Sequence, residues 1–193
     1  MLFHYPTARF LPFEQRTGAW SDAVACDTVD LLPFSEYAAS LNRKRAAAGV
    51  LLRDERSRVL LVETTYKAEW EIPGGAVEAD EAPWTTAARE LHEELGITRP
   101  LGTLLVIDHI RAQEVMPEGL AFVFDGGLIT EDEVRDIRST DPEIQSVGLY
   151  TLEEAEKLVK STLHARLGAA LRSVESGGIV FCEGGRPAAT VRS

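Results

Sequence analysis

Three glutamates, Glu90, Glu93 and Glu94, stand within one short stretch of the chain. A helix repeats about every 3.6 residues, so positions three and four apart are neighbours on its surface. On a helix these three carboxylates point out along one side, within reach of the same ions. Carboxylates so close repel one another at neutral pH, and the cluster is costly unless cations neutralise it. Oxygen-only ligands suit the hard ions Mg²⁺, Mn²⁺ and Ca²⁺ rather than Zn²⁺. Arg89 stands four residues before Glu93, where it can pair with a glutamate and fix its rotamer.

The elements around the cluster have local signals. Trp84, Ala88, Leu91 and Leu95 recur at helical spacing and are expected to pack on a sheet. Pro83 suits the first turn of that helix and Gly96 the position just past its end. Ahead of it, Trp70-Glu71-Ile72-Pro73-Gly74-Gly75 reads as a short strand running into a Pro-Gly-Gly turn. The two glycines allow close backbone approaches that a Cβ forbids.

From Gly75 onward the chain runs five residues to Glu81, seven more, then Arg89-Glu90-Leu91-His92-Glu93-Glu94-Leu95-Gly96-Ile97. This resembles the Nudix box, G-x5-E-x7-R-E-U-x-E-E-x-G-U, with U an aliphatic residue. Every fixed position is filled and both gaps have the right length. The resemblance covers residues 46–160. It implies an αβα sandwich with a mixed sheet and an enzyme that hydrolyses a diphosphate linkage with Mg²⁺ or Mn²⁺. By resemblance, Glu90, Glu93 and Glu94 are metal ligands with Glu81 nearby, and Arg89 orients a glutamate. The Gly74-Gly75 backbone would lie close to the metals or phosphates. Glu143, just before a late strand, is the candidate extra ligand or general base, with Glu114 and Glu118 as rivals on another loop. A non-catalytic relative usually lacks one of the glutamates, and none is lost here.

The implied substrate is a nucleoside diphosphate joined to another group, of the ADP-ribose or nucleotide-sugar type. The alternatives are a nucleoside triphosphate, a prenyl diphosphate, or a nucleotide-sensing module without turnover. Substrate choice lies in loops that the box does not specify. Tyr66 and Trp70 offer rings for stacking and Lys67 a charge for phosphate, although core packing explains Trp70 equally well. His109 reads as a core or rim histidine.

Bulk properties narrow the partners. The chain has 193 residues, 45 % hydrophobic and 26 % charged, with a formal net charge of −11. A globular domain of ordinary composition is expected. Nucleic acid is not an expected partner, because its binding needs a basic stripe. The acidity also repels a polyphosphate at long range, which metal and local cations must overcome. The two cysteines, Cys26 and Cys182, lie in no metal-ligand pattern and read as small buried hydrophobes. No apolar run approaches the roughly 18 residues of a membrane span. The first residues lack the pattern of a secretory signal, so a cytoplasmic location is expected.

Residues 1–44 are expected to form an extension that packs on its own core or on a second subunit. They carry Phe3, Tyr5, Phe10, Phe13, Trp20, Phe34 and Tyr37, too many aromatics for a disordered tail. By resemblance to ADP-ribose hydrolases, a homodimer is the preferred partner. A strand is expected at residues 23–29 and a short helix at 35–41. Arg43-Lys44-Arg45 suits the solvated start of a strand better than a phosphate clamp. Residues 45–160 are the expected hydrolase domain, with strands at 47–52, 59–63, 101–110, 120–124 and 145–150. The strand at 120–124 is expected to end at Asp125-Gly126-Gly127, and residues 131–142 to be acidic and irregular. A helix over 152–160 carries a capping box, with Thr151 as N-cap and Glu154 three residues on. Residues 161–193 are expected to add a helix over 163–174, a strand-like run at 179–182 and a Gly-Gly turn.

Overall fold

A computed structural model describes residues 32–138 and 141–189. The chain divides into two units, Met1–Arg43 and Lys44–Ser193. In the first, one helix is described, α1 (Phe34–Ser40), and none of its residues is buried. The strand expected at 23–29, Cys26 and the five earlier aromatics lie outside the described residues.

The second unit is built on one mixed sheet. Its strands are β1 (Arg45–Arg53), β2 (Val59–Thr64), β3 (Gly74–Ala76), β4 (Leu104–Ile110), β5 (Gly119–Leu128), β6 (Ile144–Tyr150), β7 (Val180–Glu183) and β8 (Arg186–Pro187). The spatial order is β6-β2-β1-β5-β4-β7-β8, with β3 paired to β1 off this path. The β1–β5 and β4–β7 pairs are parallel and the others antiparallel.

The sheet is apolar on both faces, which explains the unbroken aliphatic runs in β1 and β2. Successive side chains of a strand point to opposite faces. Leu51, Val59 and Leu61 enter one core with Leu163, Leu167 and Ala170. Val50, Leu52, Leu60 and Val62 enter the other with Ala87, Leu91 and Leu95. The first core is covered by α4 (Leu152–Ala155) and α5 (Ser161–Ser176), the second by α2 (Pro83–Leu95) and α3 (Glu131–Asp136). This is the expected αβα sandwich. Among the described residues, no helix is long and apolar enough to cross a membrane.

Several local expectations are corrected. Pro73 makes a bend, and the two glycines after it are β3 rather than a turn, hydrogen-bonded to β1 opposite Gly49 and Ala48. The expected strand at 101–110 begins at Leu104. β5 runs on through Asp125-Gly126-Gly127, because a register shift at Leu51/Leu52 absorbs the extra residue. Residues 131–136 are not irregular but helical, since Thr130 and Glu133 form a capping box. The capping box at Thr151 and Glu154 is present, yet its helix ends at Ala155. There the chain turns to bury Val159 and to give the Leu158 carbonyl to the Trp70 N–H.

The apolar stripe of α2 is rotated from the expected one. Trp84 is 64 % exposed and Ala88 is exposed, whereas Thr86, Ala87, Leu91 and Leu95 are buried. Ala87, Leu91 and Glu94 follow one another at four- and three-residue spacing, so burying the first two turns Glu94 inward. Leu91→Ala is therefore expected to destabilise the protein by about 2–5 kcal/mol, as cavity-forming substitutions do. Trp84→Ala is expected to change stability by no more than about 0.5 kcal/mol. Chemical denaturation of both variants checks the stripe, and a larger loss for Trp84→Ala would refute it.

Candidate functional site

Arg89 is the hub of the acidic helix. Its Nε and Nη2 donate to Glu81 Oε1 and Oε2 at 3.0 and 3.1 Å. Its Nη1 donates to Glu90 Oε1 at 2.9 Å and Glu93 Oε2 at 2.8 Å. The arginine thus pairs with three glutamates, Glu93 among them at the four-residue spacing. Glu81 also accepts from the Thr86 hydroxyl at 2.7 Å. The Arg89 hydrogen bonds, helped by Thr86, hold the Glu81 carboxyl down at about 2. Both Glu81 oxygens are thus engaged, and its carboxylate ties the loop before α2 to the helix.

The three box glutamates do not all point outward. Glu90 lies under β3, so close that a Cβ on Gly75 would collide with its carboxylate. Burial raises its pKa, against the pull of Arg89. Glu94 turns further in and accepts from the Gly74 N–H at 3.0 Å. Burial, reinforced by the charges of Glu90, Asp141 and Glu143, pushes its pKa up to about 8 despite that hydrogen bond. Gly74 is equally constrained: at φ 152° a side chain there would run into the Ala48 carbonyl. Glu93 remains on the outer side, half exposed.

Glu143 is exposed but comes near enough for its charge to act on Glu94. Its backbone is fixed at both ends. The N–H donates to Asp141 Oδ1 at 2.8 Å, and the carbonyl accepts from the Thr65 N–H at 2.8 Å. Asp141 is a second loop carboxylate at this place that the sequence pattern missed. The rivals stand apart in role. Glu118 is paired with Lys44 at 2.6 Å and His109 at 3.3 Å, and Glu114 is exposed. Lys44 and Arg45, whose Nε donates to the Pro117 carbonyl, serve the start of β1. Cys182 is buried and free, as expected.

These carboxylates suit a hard divalent cation. Among the described residues, no three carboxylate, imidazole or thiol groups converge closely enough to hold a metal ion by themselves. Mg²⁺ does not require three such groups: it takes one or two carboxylates and fills its shell with water and substrate phosphates. The pKa values of Glu90 and Glu94 are raised because their hydrogen bonds offset only part of the desolvation of their charges, which is the situation a cation relieves.

A cavity of ≈ 250 Å³ adjoins the cluster, and Gly74 and Gly75 form part of its wall. Tyr66 and Lys67 line it. Lys67 donates to Glu71 at 2.8 Å and lies 5.3 Å from the centre of the Tyr66 ring. Trp70 is not in that wall. It packs edge-on against Tyr150, with centroids 5.2 Å apart, in the core under α5. The floor is small and apolar, with Ala47, Gly49 and Ala121, and Arg166 of α5 closes one side. No local motif marks Arg166, because its role depends on a helix far along the chain folding back over the sheet.

A family model of the NUDIX domain matches residues 43–171. The chain belongs to the Nudix family. Diphosphoinositol polyphosphate phosphohydrolase 2 of Rattus norvegicus is 44 % identical over 66 residues, 34 % of this chain and 37 % of that protein. The match thus spans little more than a third of the length of such relatives. Among solved structures, the MutT protein of Methanosarcina mazei Go1 aligns with a TM-score of 0.56 at 23 % identity, over 72 % of this chain and 99 % of that one. A UDP-X diphosphatase aligns with a TM-score of 0.58 at 16 % identity, over 78 % and 75 %. At these identities the likeness is one of Nudix fold.

The raised pKa of Glu94 has a sign that can be tested. Its folded value of about 8 lies above the ordinary carboxylate value of 4.5. Between those values the folded chain holds a proton that the unfolded chain releases, so stability falls as pH rises through that window. In EDTA, the melting temperature of the wild type is expected to drop from pH 6 to pH 8.5, and Glu94→Gln to flatten that slope. An unchanged slope in Glu94→Gln would place the proton elsewhere.

Proposed function

We propose that this Nudix protein is a Mg²⁺- or Mn²⁺-dependent hydrolase of the diphosphate linkage in a nucleoside-diphosphate derivative, of the ADP-ribose or nucleotide-sugar type. One observation carries the reading. The cavity and the acidic helix share a wall, the Gly74-Gly75 backbone, with Glu90 and Glu94 packed against it and Tyr66 and Lys67 lining the cavity. A substrate whose organic part occupies the cavity brings its diphosphate to the glutamates.

Glu90, Glu93 and Glu94 would hold the metal, which lowers the pKa of a bound water and screens phosphate charge. Arg89 keeps Glu90 and Glu93 oriented, and Glu81 keeps Arg89 in place. Gly75 leaves room for Glu90 and for close approach of a phosphate. Glu143, with Asp141 beside it, is the candidate to accept the proton of the attacking water or to add a ligand. Tyr66 offers a face for a ring and Lys67 a charge for a phosphate.

The relatives named for diphosphoinositol polyphosphates suggest a second substrate class. A polyphosphate bearing many charges calls for a strongly basic pocket. Here Lys67 is paired with Glu71 and Arg166 with Asp108, and the chain carries −11. The small apolar floor suits a flat ring better.

A panel of nucleotide sugars, ADP-ribose, nucleoside triphosphates and a prenyl diphosphate, assayed with Mg²⁺ for released monophosphate, tests the assignment. Nucleotide sugars or ADP-ribose are expected to lead, and EDTA to abolish turnover until Mg²⁺ is restored. Full turnover in metal-free protein would end the mechanism. Glu93→Gln and Glu94→Gln are each expected to lower kcat by about 10² or more with the fold retained. Losses under threefold in both would place the metal elsewhere.

The exposed Phe34 and Tyr37 of α1 support a further part of the proposal, a two-fold dimer formed through residues 1–44. Light scattering is expected to give a dimer for the intact chain and a monomer or aggregate after removal of residues 1–40. Monomers in both cases, with equal kcat/KM, would refute it.

A further inference from the structure

Arg166 reaches the cavity already held. Its Nε and Nη2 donate to Asp108 Oδ2 at 2.9 and 2.6 Å, and Asp108 is fully buried. The Gly185 N–H donates to the same carboxylate, 3.0 Å from each oxygen. The Gly185 N–H thus helps fix the acceptor that fixes the guanidinium. Among the described residues, Arg166 Nη1 donates to no protein acceptor, although the residue lines the cavity. A rigid donor edge without an acceptor is a recognition device, since guanidinium offers donors only.

The surroundings restrict what that edge meets. The floor of Ala47, Gly49 and Ala121 leaves room for a flat ring, and Lys67 spends its charge on Glu71. A base lying on this floor would turn an edge toward Arg166. Guanine offers two adjacent acceptors, O6 and N7, which match a guanidinium edge, whereas adenine sets its N6 amino donor beside N7. A donor facing a donor leaves both unpaired in a desolvated site, and that penalty is the usual source of strong discrimination.

We propose that Arg166, fixed by Asp108, selects a guanine over an adenine base in the cavity, so that the substrates are guanosine-diphosphate derivatives. This rests on the nucleoside-diphosphate reading above and narrows it.

The test is the kcat and KM of GDP-glucose and ADP-glucose with Mg²⁺ for the wild type, Arg166→Lys and the double variant Asp108→Asn/Arg166→Met. Lysine keeps a charge against Asp108 but loses the planar fork. The double variant removes the guanidinium without stranding a buried charge, and the asparagine carbonyl still accepts from Gly185. In the wild type, kcat/KM for GDP-glucose is expected to exceed that for ADP-glucose about tenfold or more, the scale of one bidentate base contact. Both variants are expected to bring the ratio toward one, through a higher KM for GDP-glucose. A wild-type ratio near or below one, or a ratio that survives both variants, overturns the role of Arg166 and leaves the nucleoside-diphosphate reading intact. Hydrolysis of neither sugar overturns the selection of guanine, and the nucleoside-diphosphate reading falls with it if the other nucleotide sugars and ADP-ribose are also left intact.

Discussion

Everything at this site follows from two carboxylates, Glu90 and Glu94, pressed between a helix and the backbone of β3. A desolvated carboxylate is expensive unless it is hydrogen-bonded or meets opposite charge. Only part of that need is met within the chain. Glu90 has one arm of Arg89, and Glu94 has one N–H, from Gly74. The remainder appears as raised pKa values for both, with Glu94 pushed up to about 8. A protein that left this cost uncompensated would gain by an apolar replacement. A divalent cation would relieve the same cost.

The sheet makes that geometry possible because β1 changes character along its length. Its later residues, Val50, Leu51 and Leu52, are fully buried and hold the two helical layers apart and together. Its earlier residues, Ala46 to Gly49, are small. There β3 can come close on one edge, and on one face a cavity remains that larger side chains would fill. One strand therefore anchors the cores and leaves the opening. Close packing elsewhere keeps the opening from collapsing.

On the far side of the cavity, Asp108 ties three parts of the chain. It lies on β4, takes Arg166 from α5, and accepts from Gly185 in the turn between β7 and β8. Buried pairs of this kind add little net stability when intact but cost about 3–5 kcal/mol when one partner is removed. Their value is orientation. The last strands of the sheet are thereby coupled to a residue in the cavity wall.

The sequence alone determined whatever depends on neighbours in the chain. The glutamate spacing, the Arg89 pairing, the Pro83 and Gly96 helix ends and the Thr151 capping box are set by the helical period and by hydrogen bonds spanning a few residues. The Val-Leu-Leu-Val run of β2 likewise marks a buried strand. Tertiary structure decided the rest, because it depends on which surfaces meet. Trp84 shares its spacing with Leu91 and Leu95, yet packing of Ala87 against the sheet left it in water and turned Glu94 inward. Asp141 joined the carboxylates only because β6 returns beside β2. Arg166 and Asp108 lie 58 residues apart, and no local pattern pairs them until α5 folds across β4.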